Sequence, residues 1–295
     1  MNSSPEFTFQ HTLEIRVDGN SEVGFGHLRR AKTLAAKLCS FANVKMIGLS
    51  PEARRILGEH GANAENARLV IFDSPYSIDN QLLEAKERGQ ITVALDYFGE
   101  VSPDINISVY PHKEVRANKA AYIGFEYLLI REDIVAYGQR PFLNQANRVM
   151  VCIGGGDLLQ QGRLAARLLH GKGFDVTLIQ GPFASNMGAS SGYKTFVNPE
   201  NYAQLFSECN WAVTNGGGCL FEALCLGMPT FVLPQTAAEM KIAQFVEQKG
   251  AVLGVGLDHL RAFSLAELQY VVEAGAGLVD GRGAERISEI IRGLL

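Results

Sequence analysis

The sequence lacks the features that mark membrane proteins, nucleic-acid-binding proteins and common metalloproteins. No apolar run reaches about 18 residues, and the start, MNSSPEFTFQHT, has no apolar core of signal-peptide length. The formal net charge is −4 and neither half of the chain is basic. The six histidines show neither H-x-x-x-H nor H-E-x-x-H spacing. These absences predict a cytoplasmic protein with no membrane insertion, no nucleic-acid partner, no metal and no cofactor.

Cysteine is scarce and has no recognisable pattern. The five residues are odd in number, form no C-x-x-C pair and lie among apolar neighbours, as in VMVCIGGG and EALCLG. Such cysteines are interpreted as reduced residues that fill small spaces in a core. They are Cys39, Cys152, Cys209, Cys219 and Cys225.

Short apolar runs alternate with helical patterns along the chain. The runs LEIRVDG, VKMIGLS, LVIFDS, ITVALD and INISVY are typical of buried strands, and helix-forming segments lie between them. After a polar stretch at 132–147 a second series begins: VMVCIGGG, DVTLIQG, KTFVNP, WAVTNGG, TFVLP and AVLGVG. This alternation predicts an α/β protein of two doubly wound, Rossmann-like domains, residues 1–137 and 138–295, that face a central cleft.

Every glycine-rich turn follows a predicted strand. The turns are VDGNSEVGFGH, IGGGD and TNGGGCLFEALCLG. Ligands of open α/β sheets bind at the carboxyl ends of the strands, and a glycine turn that leads into a helix suits phosphate. None of the turns has the G-K-[ST] ending of a P-loop, and Arg29 replaces the third glycine of a dinucleotide fingerprint. The turns therefore predict a phosphate-containing ligand without ATP hydrolysis.

The segment NGGGCLFEALCLGMPTFVLPQTAAEMKIAQFVEQKGA, residues 215–251, resembles the donor-binding segment of GT-B nucleotide-sugar enzymes. The resemblance implies that the glycine turn holds a diphosphate and that Glu222 accepts hydrogen bonds from ribose hydroxyls. Without the resemblance, Glu222 could equally be a solvated helix residue. Glu239 replaces a glutamine of the family pattern, and a carboxylate there would repel a diphosphate. The candidate nucleotide-binding residues are Gly155, Gly156, Asn215, Gly216, Gly217, Gly218, Glu222 and Glu239.

Motifs of the first domain resemble one particular group of nucleotide-sugar enzymes. RVDGNSEVGFGHLRRAKTLAAKL resembles the opening of the UDP-sugar hydrolases of pseudaminic acid biosynthesis and related spore-coat polysaccharide proteins, with the pattern R-x-D and then G-x-G-H-x-x-R. Matches continue through IFDSPYSID, ALDY, YIGFEYLLIREDI and VCIGGGD, so the resemblance spans residues 13–256. Asp96 is followed by Tyr97 where the family has paired aspartates, and Pro75 is an extra proline. Both departures lie where the sugar is expected and leave its identity open.

The resemblance implies that His27 is the base that activates water for attack at the anomeric carbon. A helix N-terminus disfavours a second positive charge and so keeps the imidazole neutral near pH 7, as a general base requires. Gly24 and Gly26 would let sugar and water approach. A histidine that caps the helix or packs in an interface is the alternative. Arg29 and Arg30 start the same helix, where one of them faces phosphate or both are solvated.

Three further residues are implied as cleft residues by the same resemblance. Asp18 ends the first strand and would orient sugar hydroxyls or the base, although a plain turn aspartate needs no ligand. Tyr76 would bond the sugar or lie on the surface. Asp157 would contact the substrate or cap the following helix.

Together these features predict an enzyme that hydrolyses a UDP-activated amino or deoxy sugar to free sugar and UDP. A GT-B glycosyltransferase that uses a UDP-sugar donor is the first alternative, and a non-catalytic nucleotide-sugar-binding protein is the second. The first-domain loops SPYSIDNQ and DYFGEVSPD hold no cluster of Lys or Arg for a membrane-bound acceptor, which favours water as the attacking group.

Overall fold

A computed structural model describes residues 11–19, 26–58, 66–111, 113–154, 157, 159–181 and 192–295. The chain divides into two compact units. Unit 1 comprises Met1–Leu129 and Arg282–Leu295, and unit 2 comprises Ile130–Gly281.

Unit 1 contains, in its described residues, a six-stranded parallel sheet. Its strands are β1 (Thr12–Val17), β2 (Asn43–Gly48), β3 (Leu69–Asp73), β4 (Ile91–Leu95), β5 (Ile105–Ser108) and β6 (Ala120–Ile123). The spatial order is β2-β1-β3-β4-β5-β6, so the direction of winding reverses between β1 and β3. In doubly wound sheets the ligand crevice lies outside the carboxyl ends of the strands at this reversal.

Unit 2 contains a five-stranded parallel sheet in the part that the structure describes. Its strands are β7 (Arg148–Cys152), β8 (Asp175–Gln180), β9 (Lys194–Val197), β10 (Trp211–Thr214) and β11 (Thr230–Val232). The order is β11-β10-β7-β8-β9, which places the reversal between β7 and β10. Each unit therefore has one reversal point of its own.

Helices connect the strands in both units. In chain order they are α1 (Gly26–Leu38), α2 (Pro51–Leu57), α3 (Asp79–Glu87), α4 (Glu132–Tyr137), α5 (Gln161–Gly171), α6 (Tyr202–Ser207), α7 (Gly218–Cys225), α8 (Ala237–Gln248), α9 (Leu265–Gly275) and α10 (Gly283–Arg292). None of these described helices has the length and apolar character needed to cross a bilayer.

The apolar spacing of α1 shows why this segment is a helix that packs on the sheet. Its buried residues Leu28, Ala31, Leu34 and Leu38 recur every three or four positions and join the core formed with β1, β3 and α10. Unit 2 has its own core, in which Trp211 meets Phe263 edge-to-face at a centroid distance of 5.4 Å. Burial of these apolar side chains is the main stabilising contribution in each unit.

The predicted doubly wound α/β architecture is confirmed, with local differences. AVLGVG forms no strand in the described structure but a single bridge between Val232 and Val255. Gly254, with φ +146°, interrupts the extended backbone there. The strand β6 and the short helix α4 were not predicted, because segments of four and six residues are too short to show a clear period.

The division into units differs from the predicted boundary at residues 137 and 138. The helix α4 packs against α6 and α7 and so belongs to unit 2. The last helix, α10, packs against α1 and so belongs to unit 1. The chain thus returns to unit 1 after unit 2 is complete. Local sequence patterns do not reveal this return, because α10 would have the same apolar spacing if it packed on either unit.

Candidate active site

The predicted base, His27, lies in the first turn of α1 and is hydrogen-bonded to a buried aspartate. Its Nδ1 is 2.6 Å from Oδ1 of Asp73, the last residue of β3. The Asp73 side chain is 0% exposed and the His27 side chain is 23% exposed. The pair stands at the reversal point of unit 1, since α1 follows β1 and Asp73 ends its neighbour β3. His27 is therefore placed where a ligand of this sheet is expected.

Arg30, one helical turn after His27, completes the arrangement. It donates to Asp73 through Nε and Nη2, at 2.7 and 2.5 Å, and to Asp96 Oδ2 through Nη1 at 2.5 Å. Asp96 follows β4 directly, has a φ of +52° and accepts a hydrogen bond from the Val109 N–H at 2.9 Å. We name His27, Arg30, Asp73 and Asp96 the histidine cluster. The carboxylates of Asp73 and Asp96 thus fix the Arg30 guanidinium on the same face of α1 as His27.

The charges of the histidine cluster determine which His27 nitrogen carries the proton. Burial disfavours the charged carboxylate, but Arg30 and His27 outweigh this effect and lower the pKa of Asp73 to about 2. Burial also opposes the charge of Arg30, yet Asp73 and Asp96 raise the pKa of Arg30 further. Because Asp73 is ionised, the 2.6 Å contact requires a proton on His27 Nδ1. The other nitrogen, Nε2, has no hydrogen bond from any described residue and is left as the acceptor.

The other predicted residues of unit 1 are placed differently. Asp18 is buried at the end of β1, where its N–H donates to the Asp73 carbonyl at 3.1 Å and its Oδ1 accepts from the Gly19 N–H at 2.8 Å. Tyr76 is 45% exposed in the loop after β3. Around Gly26, a Cβ would meet no atom of the described residues within 4 Å. Asp18 therefore adjoins the histidine cluster, Gly26 leaves space beside it, and Gly24 lies outside the described residues.

At the reversal point of unit 2, the Glu239 carboxylate is hydrogen-bonded to the glycine turn that follows β10. Glu239, in the first turn of α8, accepts from Asn215 Nδ2 at 2.7 Å, from the Gln235 N–H at 2.7 Å and from the Gly216 N–H at 3.4 Å. A Cβ on Gly216 would lie 2.5 Å from the Glu239 carbonyl oxygen, so this close approach requires glycine. Glu239 therefore stabilises the turn from within the protein.

The rest of the turn is arranged around the start of α7. A Cβ on Gly218 would meet open space among the described residues. Gly217 precedes the helix and offers no side-chain cap. Gly154, from the turn after β7, approaches Asn215, whose Nδ2 would be 3.3 Å from an added Cβ. The two predicted glycine turns are thus neighbours at the reversal, and Gly155 and Gly156 lie outside the described residues.

Glu222 is buried in α7 and hydrogen-bonded to a tyrosine. Its Oε2 accepts from the Tyr202 hydroxyl at 2.7 Å, and the Arg131 guanidinium lies 4.7 Å from the centroid of the Tyr202 ring. Burial, together with neighbouring acidic groups, raises the pKa of Tyr202 well above its usual value, so the hydroxyl stays a donor. The alternative of a solvated helix residue is wrong for Glu222, because only 7% of the residue is exposed.

Asp157 is the cap of the helix that follows it. Its Oδ2 accepts from the Gly162 N–H at 2.8 Å and from the Arg163 N–H at 3.2 Å. These donors belong to the first turn of α5, where helices leave N–H groups unsatisfied. Its Oδ1 is buried with no hydrogen-bond partner among the described residues. Of the two predicted roles, the structure supports the capping role.

The sequence prediction gave Asp73 no role, placed Asp96 only near the expected sugar, and left Arg30 to face phosphate or solvent, whereas the structure pairs Arg30 with both carboxylates. Arg30 occupies the last position of the G-x-G-H-x-x-R pattern and lies three residues after His27, on the same helix face. Asp73 and Asp96 each end an apolar strand run, LVIFD and ITVALD. An ionisable residue at the end of a buried strand was the signal that could have identified both.

Among the described residues, no group of three or more His, Cys, Asp or Glu side chains is arranged to hold a metal ion.

No protein-family profile matches the chain. The spore coat polysaccharide biosynthesis protein SpsG of Bacillus subtilis is similar to it, with 25% identity over 95% of this chain and 97% of that protein. The UDP-2,4-diacetamido-2,4,6-trideoxy-beta-L-altropyranose hydrolase of Campylobacter jejuni is 26% identical over 72% of this chain and 87% of its own length. The solved structure of CalG4, the calicheamicin glycosyltransferase, matches 97% of this chain with a TM-score of 0.64 at 13% identity. This likeness shows the fold, two parallel-sheet α/β domains as in GT-B glycosyltransferases.

Proposed function

We propose that this protein is an enzyme that hydrolyses a UDP-activated amino or deoxy sugar, with release of free sugar and UDP. The observation that carries the proposal is the histidine cluster: His27 stands at the reversal point of unit 1 with Nδ1 fixed by Asp73 and Nε2 available as a base. The names of two similar proteins, a spore coat polysaccharide biosynthesis protein and a UDP-sugar hydrolase, support a role on nucleotide sugars in polysaccharide biosynthesis.

In the proposed reaction, His27 Nε2 removes a proton from water as the water oxygen attacks the anomeric carbon. The new C1–O bond forms while the bond from C1 to the diphosphate oxygen breaks, and UDP leaves with that electron pair. The imidazolium that results is stabilised by the ionised Asp73, 2.6 Å from Nδ1. Arg30 keeps Asp73 ionised and in position through two hydrogen bonds. The pair thereby supplies general base catalysis without any change in the Asp73 charge.

The nucleotide is proposed to bind unit 2. Among the described residues, the start of α7 at Gly218 is open and has no side-chain cap, so its N–H groups and the positive end of the helix suit a diphosphate. Glu239 already takes the Gly216 N–H, so the proposed phosphate donors are those at Gly217 and Gly218. Glu222 lies one turn into the same helix and is the proposed ribose acceptor.

Replacement of Glu222 by alanine is expected to weaken UDP binding about 10- to 100-fold. A hydrogen bond to a charged group contributes about 1.5–3 kcal/mol, and each 1.4 kcal/mol corresponds to about tenfold in affinity. Isothermal titration of UDP against wild type and Glu222→Ala measures the change. The matched control is Tyr202→Phe, which removes the hydroxyl that donates to Glu222 but keeps the carboxylate. Its UDP affinity should fall less than that of Glu222→Ala. Equal UDP affinities for wild type and Glu222→Ala would remove Glu222 from the site.

A glycosyltransferase is the second candidate, and the likeness of the fold to CalG4 favours it. The two reactions differ in whether water or a sugar hydroxyl attacks C1. The third candidate, a non-catalytic binding protein, gives no reason for the buried charges that fix the His27 tautomer. Reaction with a UDP-sugar in buffer therefore separates the three.

With a panel of UDP-amino sugars in ¹⁸O-labelled water and no acceptor, we expect equal amounts of UDP and free sugar. The label should appear on the sugar C1 hydroxyl and none on UDP, because water attacks carbon and the diphosphate keeps its own oxygen. Mass spectrometry of both products measures this. Label on UDP would mean attack at phosphorus. UDP release only after an acceptor is added would establish the transferase, and no turnover with any donor would favour the binding protein.

A further inference from the structure

Two cysteine sulfur atoms lie next to each other at the reversal point of unit 2. Cys152 ends β7 and Cys219 is the second residue of α7, and their Sγ atoms are 3.5 Å apart. Cys152 is buried, whereas Cys219 is partly exposed. The predicted use of cysteine as a small core residue is confirmed for Cys152, Cys209 and Cys225, and is wrong for the exposed Cys39 and for Cys219.

The surroundings of this pair distinguish it from ordinary buried thiols. The Tyr202 hydroxyl lies 3.9 Å from Cys152 Sγ and also donates to Glu222 at 2.7 Å. The hydrogen bond from the Cys219 thiol lowers the pKa of Cys152, against the effect of burial. The same hydrogen bond, together with burial, raises the pKa of Cys219, so Cys152 has the greater thiolate character. A sulfur with thiolate character next to a second, resolving cysteine is the arrangement of cysteines that oxidise reversibly. The other three cysteines form no such pair with a described residue.

We propose that Cys152 and Cys219 are a reversible oxidation site at which a peroxide forms an intramolecular disulfide. The Cys152 thiolate attacks one peroxide oxygen, the O–O bond breaks, and a sulfenic acid on Cys152 and, after uptake of one proton, one water result. Cys219 Sγ then attacks the sulfenic sulfur, loses its proton and expels the second water. The two thiols lose two electrons and two protons in total, and hydrogen peroxide is reduced to two molecules of water. A bond of about 2.05 Å requires the two sulfur atoms to approach by about 1.5 Å.

The disulfide would act on the nucleotide site, a consequence that rests on the proposed function. Cys219 lies directly after Gly218, where α7 starts and where the diphosphate is proposed to bind. Movement of Cys219 toward β7 displaces the first turn of α7 and its N–H groups. The same movement disturbs the contact from Cys152 through Tyr202 to Glu222. Oxidation is therefore expected to weaken UDP binding, and reduction to restore it.

The experiment treats the protein with hydrogen peroxide in a Cys39→Ser background, which removes the exposed thiol. After the remaining thiols are alkylated, peptide mass spectrometry without reduction identifies disulfides. We expect a Cys152–Cys219 link as the main product, and its loss after dithiothreitol. Cys219→Ala and Cys152→Ala should each abolish the link. Cys225→Ala, a buried cysteine at the other end of the same helix, is the matched control and should keep it.

Titration of UDP against the reduced and oxidised forms then measures how much the disulfide changes UDP affinity. We expect the oxidised form to bind UDP about tenfold more weakly or worse, with recovery after dithiothreitol and no change in peroxide-treated Cys219→Ala. Oxidation without a Cys152–Cys219 link would overturn the proposed site. A link with unchanged UDP affinity would overturn its effect on the nucleotide. If the reduced protein does not bind UDP, the proposed function fails, while the mass spectrum still decides whether the oxidation site exists.

Discussion

Replacement of His27 by asparagine is expected to lower the turnover number of UDP-sugar hydrolysis about 10²-fold or more, the usual scale for a lost general base. Asparagine cannot take a proton from water, and the buried Asp73 then has no imidazolium to stabilise. UDP affinity should change little, because the proposed nucleotide residues lie in unit 2. Steady-state kinetics for the best substrate of the panel and titration of UDP measure the two quantities separately.

The matched control is His259→Asn, which changes an exposed histidine in the short 3₁₀ helix Leu257–His259. Its kinetics should equal those of wild type. Retention of more than about half of the activity in His27→Asn would place the base elsewhere and refute the mechanism. A loss of UDP affinity as large as the loss of turnover would mean that the substitution acts through the nucleotide site.

Replacement of Asp73 by asparagine is expected to lower turnover about 10²-fold or more, although Asp73 is a positioning residue and touches no reacting atom. In the serine protease triad, the same change of a buried aspartate to asparagine selects the wrong histidine tautomer and costs about 10⁴-fold. Here asparagine can donate to Nδ1 and drive the proton to Nε2, where it blocks the base. KM should change less than kcat, because Asp73 contacts the base and Arg30 and not the substrate.

Asp96→Asn is the informative comparison for this variant. Asp96 binds Arg30 Nη1 but does not touch His27, so its replacement weakens the histidine cluster without a direct effect on the tautomer. Asp96→Asn should therefore cost less activity than Asp73→Asn. Equal losses of kcat in the two variants would indicate that Asp73 only maintains the fold. Thermal unfolding of both variants confirms that folded enzymes are compared.

The sequence by itself determined the class of fold and the positions of most elements. Alternating apolar runs and amphipathic segments are local periodic signals. The six helices predicted after β7, near 160–171, 200–209, 218–226, 237–249, 265–275 and 283–294, are α5, α6, α7, α8, α9 and α10. The glycine turns were also correctly placed at the carboxyl ends of β7 and β10. His27 was recognised as a candidate base from its motif and its place at the start of a helix.

Only the tertiary structure decided which side chains meet. Asp73 lies 46 residues from His27 and 43 from Arg30, and Glu239 lies 24 residues from Asn215. No local period encodes these pairs. They result from the order of the strands, which places the end of β3 beside the start of α1, and from the packing that carries the first turn of α8 onto the turn after β10. The strand order is fixed by burial of apolar surface across each whole sheet. This hydrophobic contribution is non-directional and is distributed over many residues, so no short segment of sequence specifies it.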